Sequence, residues 1–284
     1  MRTEAKNMNA KKWLSGVMAT VCSVSCLGCM TACQTDRPKV QMEITFQDET
    51  YVLDYTLYRK LAPATVEHFL TLAGNGYYDG VIVHDYDNTR MYTGAYEYGD
   101  ATVDAGLKYK PYYDIVKEYS YFPTTVYTQG KAQALYTLCG EFSANHIQVK
   151  TGAKKETYGS LSMYYTPKKT EAYTVTVKHP VAGEGDRDYN YNSATSMFFI
   201  SINPSETNNT NYCTFATLNE GSKSELESLQ EAINEFLEGN DDALETTTVK
   251  VDQDDPFVGE TNKVVTYDVL NETITIKKVT VKSR

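Results

Sequence analysis

Tryptophan is almost missing: the 284 residues hold one, Trp13, against 24 tyrosines. Histidine is scarce, with four, and His68, His84, His146 and His179 share no spacing that would gather a metal ion. There is no Gly-rich phosphate loop and no G-x-S-x-G elbow, which removes the P-loop nucleotide enzymes and the serine hydrolases of that type. Basic charge is in deficit, 27 Lys+Arg against 37 Asp+Glu for a net −10. No run of Lys and Arg is visible to meet a phosphate backbone, so no nucleic-acid partner is expected. The acidic cluster Asp252-Gln-Asp-Asp255 is a weak calcium-like pattern and reads as a solvated loop. What is present is ordinary for a folded chain: 41% hydrophobic and 23% charged residues. The length permits one large domain or two small ones.

Cysteine is concentrated: of six, four fall at positions 22, 26, 29 and 33. Arg2, Lys6, Lys11 and Lys12 precede an apolar and small-residue run from Leu14 to Ala32, the charged and apolar regions of an export signal. Met8-Asn-Ala-Lys-Lys-Trp13 would serve equally as a start. The run ends Met30-Thr-Ala-Cys33 and turns polar at once, which resembles a bacterial lipoprotein signal. That resemblance implies a diacylglyceryl group on Cys33 and cleavage before it, with Cys29 the alternative and an uncleaved membrane anchor the competing reading. The expected organisation is a signal peptide over 1–32, a short linker over 33–39 and one domain over 40–284. The expected location is extracytoplasmic, with the membrane as a partner through the lipid on Cys33. Loss of the signal would remove Trp13 and make the chain more acidic. Cys139 and Cys213 would remain, two cysteines with no spacing evidence for a bond.

Val40 to Phe46 alternates apolar and polar residues with period two, and Tyr51 to Leu57 reads as its hairpin partner. The period then changes. Ala62-Pro-Ala-Thr65 opens a helix whose apolar face is Val66, Phe69, Leu70 and Ala73, with Gly74 and Gly76 as its stop. A second helix is expected over Ser222–Leu237, with Ser222 and Glu225 as a capping box. Strands are expected at Leu161–Tyr165, Met197–Ile202, Cys213–Leu218 and Ile274–Val281. Two helices among many short strands point to a closed antiparallel barrel with helices over its ends.

The residues carry a family resemblance. Ala62-Pro-Ala-Thr-Val-Glu-His-Phe-Leu-Thr-Leu-Ala73, Gly76-Tyr-Tyr-Asp-Gly80 and Val83-His84 are similar to the cyclophilin pattern APxTVxNFxxLxxxGYYDGxxFHR. Gly140-Glu-Phe142, Gly159-Ser-Leu-Ser-Met163, Asn192-Ser-Ala-Thr-Ser-Met-Phe-Phe-Ile200 and Tyr212-Cys-Thr-Phe-Ala216 resemble its GEF, GxLSMA, NSxxSQFFI and YxVFG blocks, in the family's order. The resemblance implies a mainly β fold, a closed eight-stranded antiparallel barrel capped by two helices. The remaining length falls in insertions near 95–138, 166–190 and 239–263. The first is rich in tyrosine, which suits either packing onto the barrel or a contact surface. The third reads as a long acidic loop.

Peptidyl-prolyl cis-trans isomerase activity is what the resemblance implies. A prolyl bond turns slowly because its C–N bond has partial double-bond character, with a barrier of ~18–20 kcal/mol. A guanidinium that hydrogen-bonds the pyramidalised prolyl nitrogen, over an apolar floor gripping the ring, suffices, and no cofactor or metal is required. In cyclophilins that Arg follows the His of FHR. Here the position is Asp85, an acceptor-only group in place of five donors. In the following segment Met91 and Gly94 match the family, whereas Arg90 stands at the pocket Phe and Thr93 at the Gln. Met197 replaces the Gln of SQFFI, Phe198 and Phe199 stay, Tyr164 replaces a small residue, and Tyr212 sits where bacterial members also often have Tyr. The candidate substrate floor is therefore Met91, Phe199, Met197, Tyr212 and Tyr164. The one candidate catalytic residue is Arg90, either swung into the missing Arg's place or tied in a surface ion pair with Asp85 or Asp87. His84 reads as a barrel residue. The expected function is an isomerase-like protein acting on proline-containing segments of exported proteins with weakened catalysis, or a non-catalytic peptide-binding or scaffold module on the same fold.

Overall fold

The computed structural model describes residues 34–100, 104–112, 115, 126–128, 134–135, 138–139, 141–142, 154–165, 173–179, 183–189, 193–207, 212–250 and 264–284. The signal segment, Cys33 and much of the tyrosine-rich insertion lie outside the described residues.

The chain opens with the hairpin β1 (Lys39–Phe46) and β2 (Glu49–Leu57), paired from Lys39↔Thr56 to Phe46↔Glu49. Their period-two pattern buries Val40, Met42, Ile44 and Phe46 from one strand and Leu53, Tyr55 and Leu57 from the other. Helix α1 (Pro63–Gly74) follows. Proline sits in its first turn, where no N–H is missed. No side chain of the preceding residue caps it; instead the buried carboxylate of Glu141 accepts the N–H groups of Ala64 at 3.2 Å and Thr65 at 2.8 Å. An anion at a helix N-terminus satisfies orphan donors and meets the positive end of the dipole. This gives the Gly140-Glu-Phe142 block a structural role. The helix closes through Gly76 in the left-handed region, φ 68°, whose N–H reaches the Ala73 carbonyl.

Short strands follow: β3 (Val81–Ile82), β4 (Asp85–Asp87), β5 (Arg90–Thr93), β6 (Tyr96–Tyr98) and β7 (Leu107–Tyr109). Beyond them lie β8 (Val126–Thr128), β9 (Ala134–Leu135), β10 (Leu138–Cys139), β11 (Leu161–Tyr165), β12 (Tyr173–His179), β13 (Gly183–Tyr189), β14 (Ser193–Ser201) and β15 (Cys213–Leu218). Helix α2 (Lys223–Gly239) then leads to β16 (Leu244–Lys250), β17 (Val264–Leu270) and β18 (Thr275–Ser283).

Among the described residues the main sheet runs β4-β5-β14-β11-β15-β2-β1-β18-β3-β6-β7, with β10 added beside β14. It is antiparallel throughout and curls into a half-barrel. It differs from the closed eight-stranded barrel expected: the ladder is longer, because the insertion near 95–138 contributes β6, β7 and the start of β10, and no described pair joins β4 to β7. The core is aromatic. Phe69 of α1 lies 5.0 Å from Tyr78, 5.5 Å from Phe198 and 5.1 Å from Phe215, ring centre to ring centre. Gly94 holds φ 100° where a Cβ would meet the Ser196 carbonyl at 2.4 Å, so only glycine lets β5 lie this close to β14.

Two expectations change. Ser222 and Glu225 form no capping box, because the Ser222 hydroxyl accepts the Asp54 N–H at 2.9 Å and ties α2 to β2 instead. The stretch read as an acidic loop, 239–263, holds β16, which pairs with β17 just beyond it in a hairpin whose Thr- and Val-rich strands suit a pleat. The acidic tip, including Asp252–Asp255, lies outside the described residues. Tyr173–Val177 is a strand as expected and pairs with β13 in a separate small sheet with β8 and β9. Cys213 is a buried free thiol; burial first, then the Glu141 carboxylate, pushes its pKa well up.

The segment read as a linker is held to the barrel. The Thr35 and Asp36 carbonyls accept hydrogen bonds from Arg59, and the Pro38 carbonyl accepts the Leu57 N–H at 2.8 Å.

Candidate functional site

Three strands build the site. β5 pairs with β4 as Asp85↔Tyr92 and Asp87↔Arg90, and with β14 as Tyr92↔Phe199 and Met91↔Ile200. Residues directly opposite share a face. Asp85, Asp87, Arg90, Tyr92 and Phe199 therefore lie on the outer face. Met91 and Thr93 point the other way. Met91 is fully buried in the barrel core, and the Thr93 hydroxyl donates to the Ile82 carbonyl at 2.8 Å. Of the expected floor, Phe199 lies on the outer face and Tyr212 reaches it, 5.0 Å ring to ring. Met197 is buried within the core cluster. Tyr164 lies on β11, with its side chain outside the described residues. Tyr92 takes the outer place that Met91 was expected to fill, with its ring 5.4 Å from Phe199.

Phe199 is 0% exposed although it is not part of the barrel's core cluster. What covers it is Arg90. The guanidinium carbon stands 4.5 Å from the Phe199 ring centre and 4.8 Å from that of Tyr212. Cation–π attraction strengthens when such a contact is desolvated. The fork is then fixed by a bidentate pair: Nε donates to Glu156 Oε1 at 2.9 Å and Nη2 to Oε2 at 2.8 Å. The Glu156 side chain is 3% exposed and that of Arg90 20%. Nη1 points to the Tyr92 hydroxyl at 3.4 Å, a long contact. Burial alone would lower the Arg90 pKa, but the Glu156 hydrogen bonds and then Tyr92 outweigh it and hold the guanidinium more firmly charged than usual. Burial pushes the Tyr92 phenol up to about 12.

Arg90 has an acidic partner, but not one of the two expected. Asp87 Oδ1 is engaged by the N–H groups of Thr89 and Arg90, at 2.6 and 2.8 Å, in a tight local turn. Asp85 Oδ1 accepts the Asp268 N–H of β17 at 2.9 Å. Burial, with the Asp268 and Asp87 charges, raises the Asp85 pKa to about 6, against the relief from its backbone hydrogen bonds. His84 is buried between Tyr96 and Tyr267, each 4.9 Å away by ring centres. Neither of its ring nitrogens has a hydrogen-bond partner among the described residues, and burial lowers its pKa to about 3, so it is neutral.

Sequence reasoning missed Glu156, Tyr92 and Asp268. Glu156 follows Lys154-Lys155 with no local pattern to mark it; its backbone pairs with that of Thr207 in an isolated bridge. Tyr92 was readable in principle, since strand parity places it beside Arg90 rather than Met91. Asp268 acts through its backbone, which carries no side-chain signal. Chemically, the site offers one guanidinium held bidentately by a carboxylate, two aromatic faces beneath it, and a carboxylate at Asp85 where the resemblance places the isomerase Arg.

Residues 40–252 match the family model for cyclophilin type peptidyl-prolyl cis-trans isomerase/CLD. No curated protein matches the chain. Similar solved structures include a cyclophilin type peptidyl-prolyl cis-trans isomerase of Cryptosporidium parvum, 16% identical over 87% of this chain and 99% of its own, with TM-score 0.43. The same parasite protein in the presence of the dipeptide Ala-Pro is 17% identical over 87% and 99%, TM-score 0.43. The Mimivirus cyclophilin is 17% identical over 89% and 92%, TM-score 0.42. With the family model spanning most of the chain and the aromatic core, helices and curled sheet in place, this protein belongs to the cyclophilin-type peptidyl-prolyl cis-trans isomerase family.

Proposed function

We propose that this protein is an exported, lipid-anchored cyclophilin that takes proline-containing segments of exported proteins and isomerises them slowly. Residues 1–32 are its signal peptide and Cys33 its lipidation site. The observation that carries the slow-catalysis reading is the Arg90 guanidinium lying on Phe199 while Glu156 holds its fork.

Two physical arguments support it. First, a proline ring that used Phe199 as its floor would have to move the guanidinium. Losing that contact costs about 1 kcal/mol, or roughly fivefold in affinity. Second, catalysis needs a donor aimed at the twisting nitrogen. Asp85 has none when ionised, and the Arg90 donors are directed at Glu156 and Tyr92. Loss of one preorganised donor costs ~10²–10³ in turnover. The weakened activity is therefore expected at about one hundredth of an ordinary member's, or lower.

The alternative is a module that binds without turning over. One set of measurements separates the two: a protease-coupled proline-peptide assay on wild type and Arg90→Ala, with peptide binding by NMR alongside. A low rate above background in wild type, together with binding, supports slow isomerisation. Binding with a background rate in both proteins supports the holding module. No binding of any proline peptide would sink both.

A further inference from the structure

We infer that the barrel end carrying Lys39 lies flat against the anionic membrane to which Cys33 attaches the protein, an orientation that rests on the lipid-anchor reading above.

The inference starts from the length of the tether. Thr35 is the first residue with a backbone atom fixed to the barrel, its carbonyl taking a hydrogen bond from Arg59 at 3.1 Å. Only Gln34 separates it from Cys33. The two steps from Cys33 to Thr35 reach ~7 Å, inside the ~8–10 Å over which charges act in physiological salt. A lipid on Cys33 would therefore hold this end of the barrel within electrostatic range of the headgroups.

The charge at this end is opposite to that of the whole chain. It collects the start of β1, the end of β2 and the end of β18, brought together by the register Lys39↔Thr56 and Lys39↔Ser283. Arg37, Lys39 and Lys282 are exposed there. Arg37 and Lys154 flank the Tyr58 ring at 5.8 and 4.3 Å. No ion pair among the described residues engages Arg37, Lys39, Lys154 or Lys282. The local acids are spoken for: Asp36 pairs with Lys60, and Glu67 with Arg59 at 2.7 Å. These cations come from segments far apart in sequence, so no basic run betrays them.

The other end of the same strands is acidic. Asp48 and Glu49 stand at the β1–β2 turn, and the last turn of α2, which packs Phe236 edge-on to Phe46 at 5.8 Å, carries Glu235 and Glu238. A net charge of −10 would on average repel an anionic surface. The separation of charge along β1 turns that repulsion into an orienting torque, basic end inward.

The test uses the full chain, produced with its signal in a bacterium that lipidates exported proteins and reconstituted into vesicles of phosphatidylglycerol or of phosphatidylcholine. Lys39→Cys and Glu49→Cys, at opposite ends of the β1–β2 hairpin and roughly 25 Å apart, are labelled with a membrane-impermeant maleimide. Wild type sets the background from its own cysteines, and [³H]palmitate incorporation, lost in Cys33→Ser, reports the anchor. The expected result is labelling of Lys39→Cys slowed roughly fivefold in phosphatidylglycerol vesicles relative to detergent, less in phosphatidylcholine, with Glu49→Cys unchanged. A Lys282→Cys variant should repeat the Lys39→Cys pattern. Palmitate incorporation with equal labelling at both ends would overturn the orientation and leave the anchor standing. No incorporation would overturn the anchor, and the orientation with it.

Discussion

The two faces of strands β5 and β14 have met different constraints. Inward, Met91, Thr93, Phe198 and Ile200 pack against α1 and the opposite wall, and they are the residues by which the chain resembles its family or fits its core. Outward, across the same ladder, a cation and a phenol lie against Phe199, with the carboxylates of Asp85 and Asp87 beside them on β4. The backbone is common to both faces, so the difference lies in what each side chain must satisfy. An inward residue must fit many neighbours at close packing; an outward one answers only to chemistry. A groove can thus lose its central donor while the barrel stays intact.

The largest expected effect breaks the inner face. Phe198→Ala should cost ~3–5 kcal/mol of stability in a denaturant titration, because Phe69 and Tyr78 stand against the vacated volume. Phe199→Ala removes the same side chain from the outer face, where Arg90 and Tyr212 can settle into the space. It should cost about 2 kcal/mol. Equal losses would mean that the two faces are one packed unit.

Acid sensitivity separates the two faces next. His84, buried and neutral, has a pKa lowered to about 3, so the unfolded chain binds the extra proton between that value and the ordinary 6.5. Its contribution to stability is present above pH 6.5 and is lost as pH falls toward 3, at up to ~1.4 kcal/mol per pH unit. Asp85 runs the other way. Its pKa is raised from 3.8 to about 6, so its contribution is present below pH 3.8 and is lost as pH rises through 6. Between pH 4 and 6 the two slopes oppose one another. Asp85→Asn should therefore make stability fall more steeply on acidification in that window, and His84→Phe should make it rise. Urea midpoints measured across the window check both signs.

The smallest effect is at neutral pH. Asp85→Asn keeps an acceptor for the Asp268 N–H and removes a partly desolvated charge, for a gain of about 1 kcal/mol after allowing for solvent screening. A loss instead would mean that the carboxylate is needed where it stands.

The fold was legible because its signals are periodic and local: the alternation of Val40–Phe46, the stripe of α1, the ordered family blocks. The hairpin β16–β17 was not, since an acidic segment separates its two Thr/Val strands and no short turn signal joins them. The substitution of Asp85 for the family Arg was plain in the sequence. The partner of Arg90 was not, because Glu156 reaches it across 66 positions through a tertiary bridge. Even the failed capping box follows this pattern: Ser222 has the right spacing to Glu225, yet a distant strand claims its hydroxyl.

The central claim is that the family's fold is in place and the missing donor limits the chemistry. It is tested most directly by returning the family's pair of residues, Asp85→Arg together with Arg90→Phe, and measuring kcat/KM on a proline peptide beside wild type. Restoring one preorganised donor predicts a rise of roughly 10²-fold, with the wild-type rate low and raised by no more than about fivefold in Arg90→Ala, which only uncovers Phe199. A wild-type rate already equal to that of the doubly substituted protein, and abolished by Arg90→Ala, would contradict the account and make Arg90 the catalytic residue.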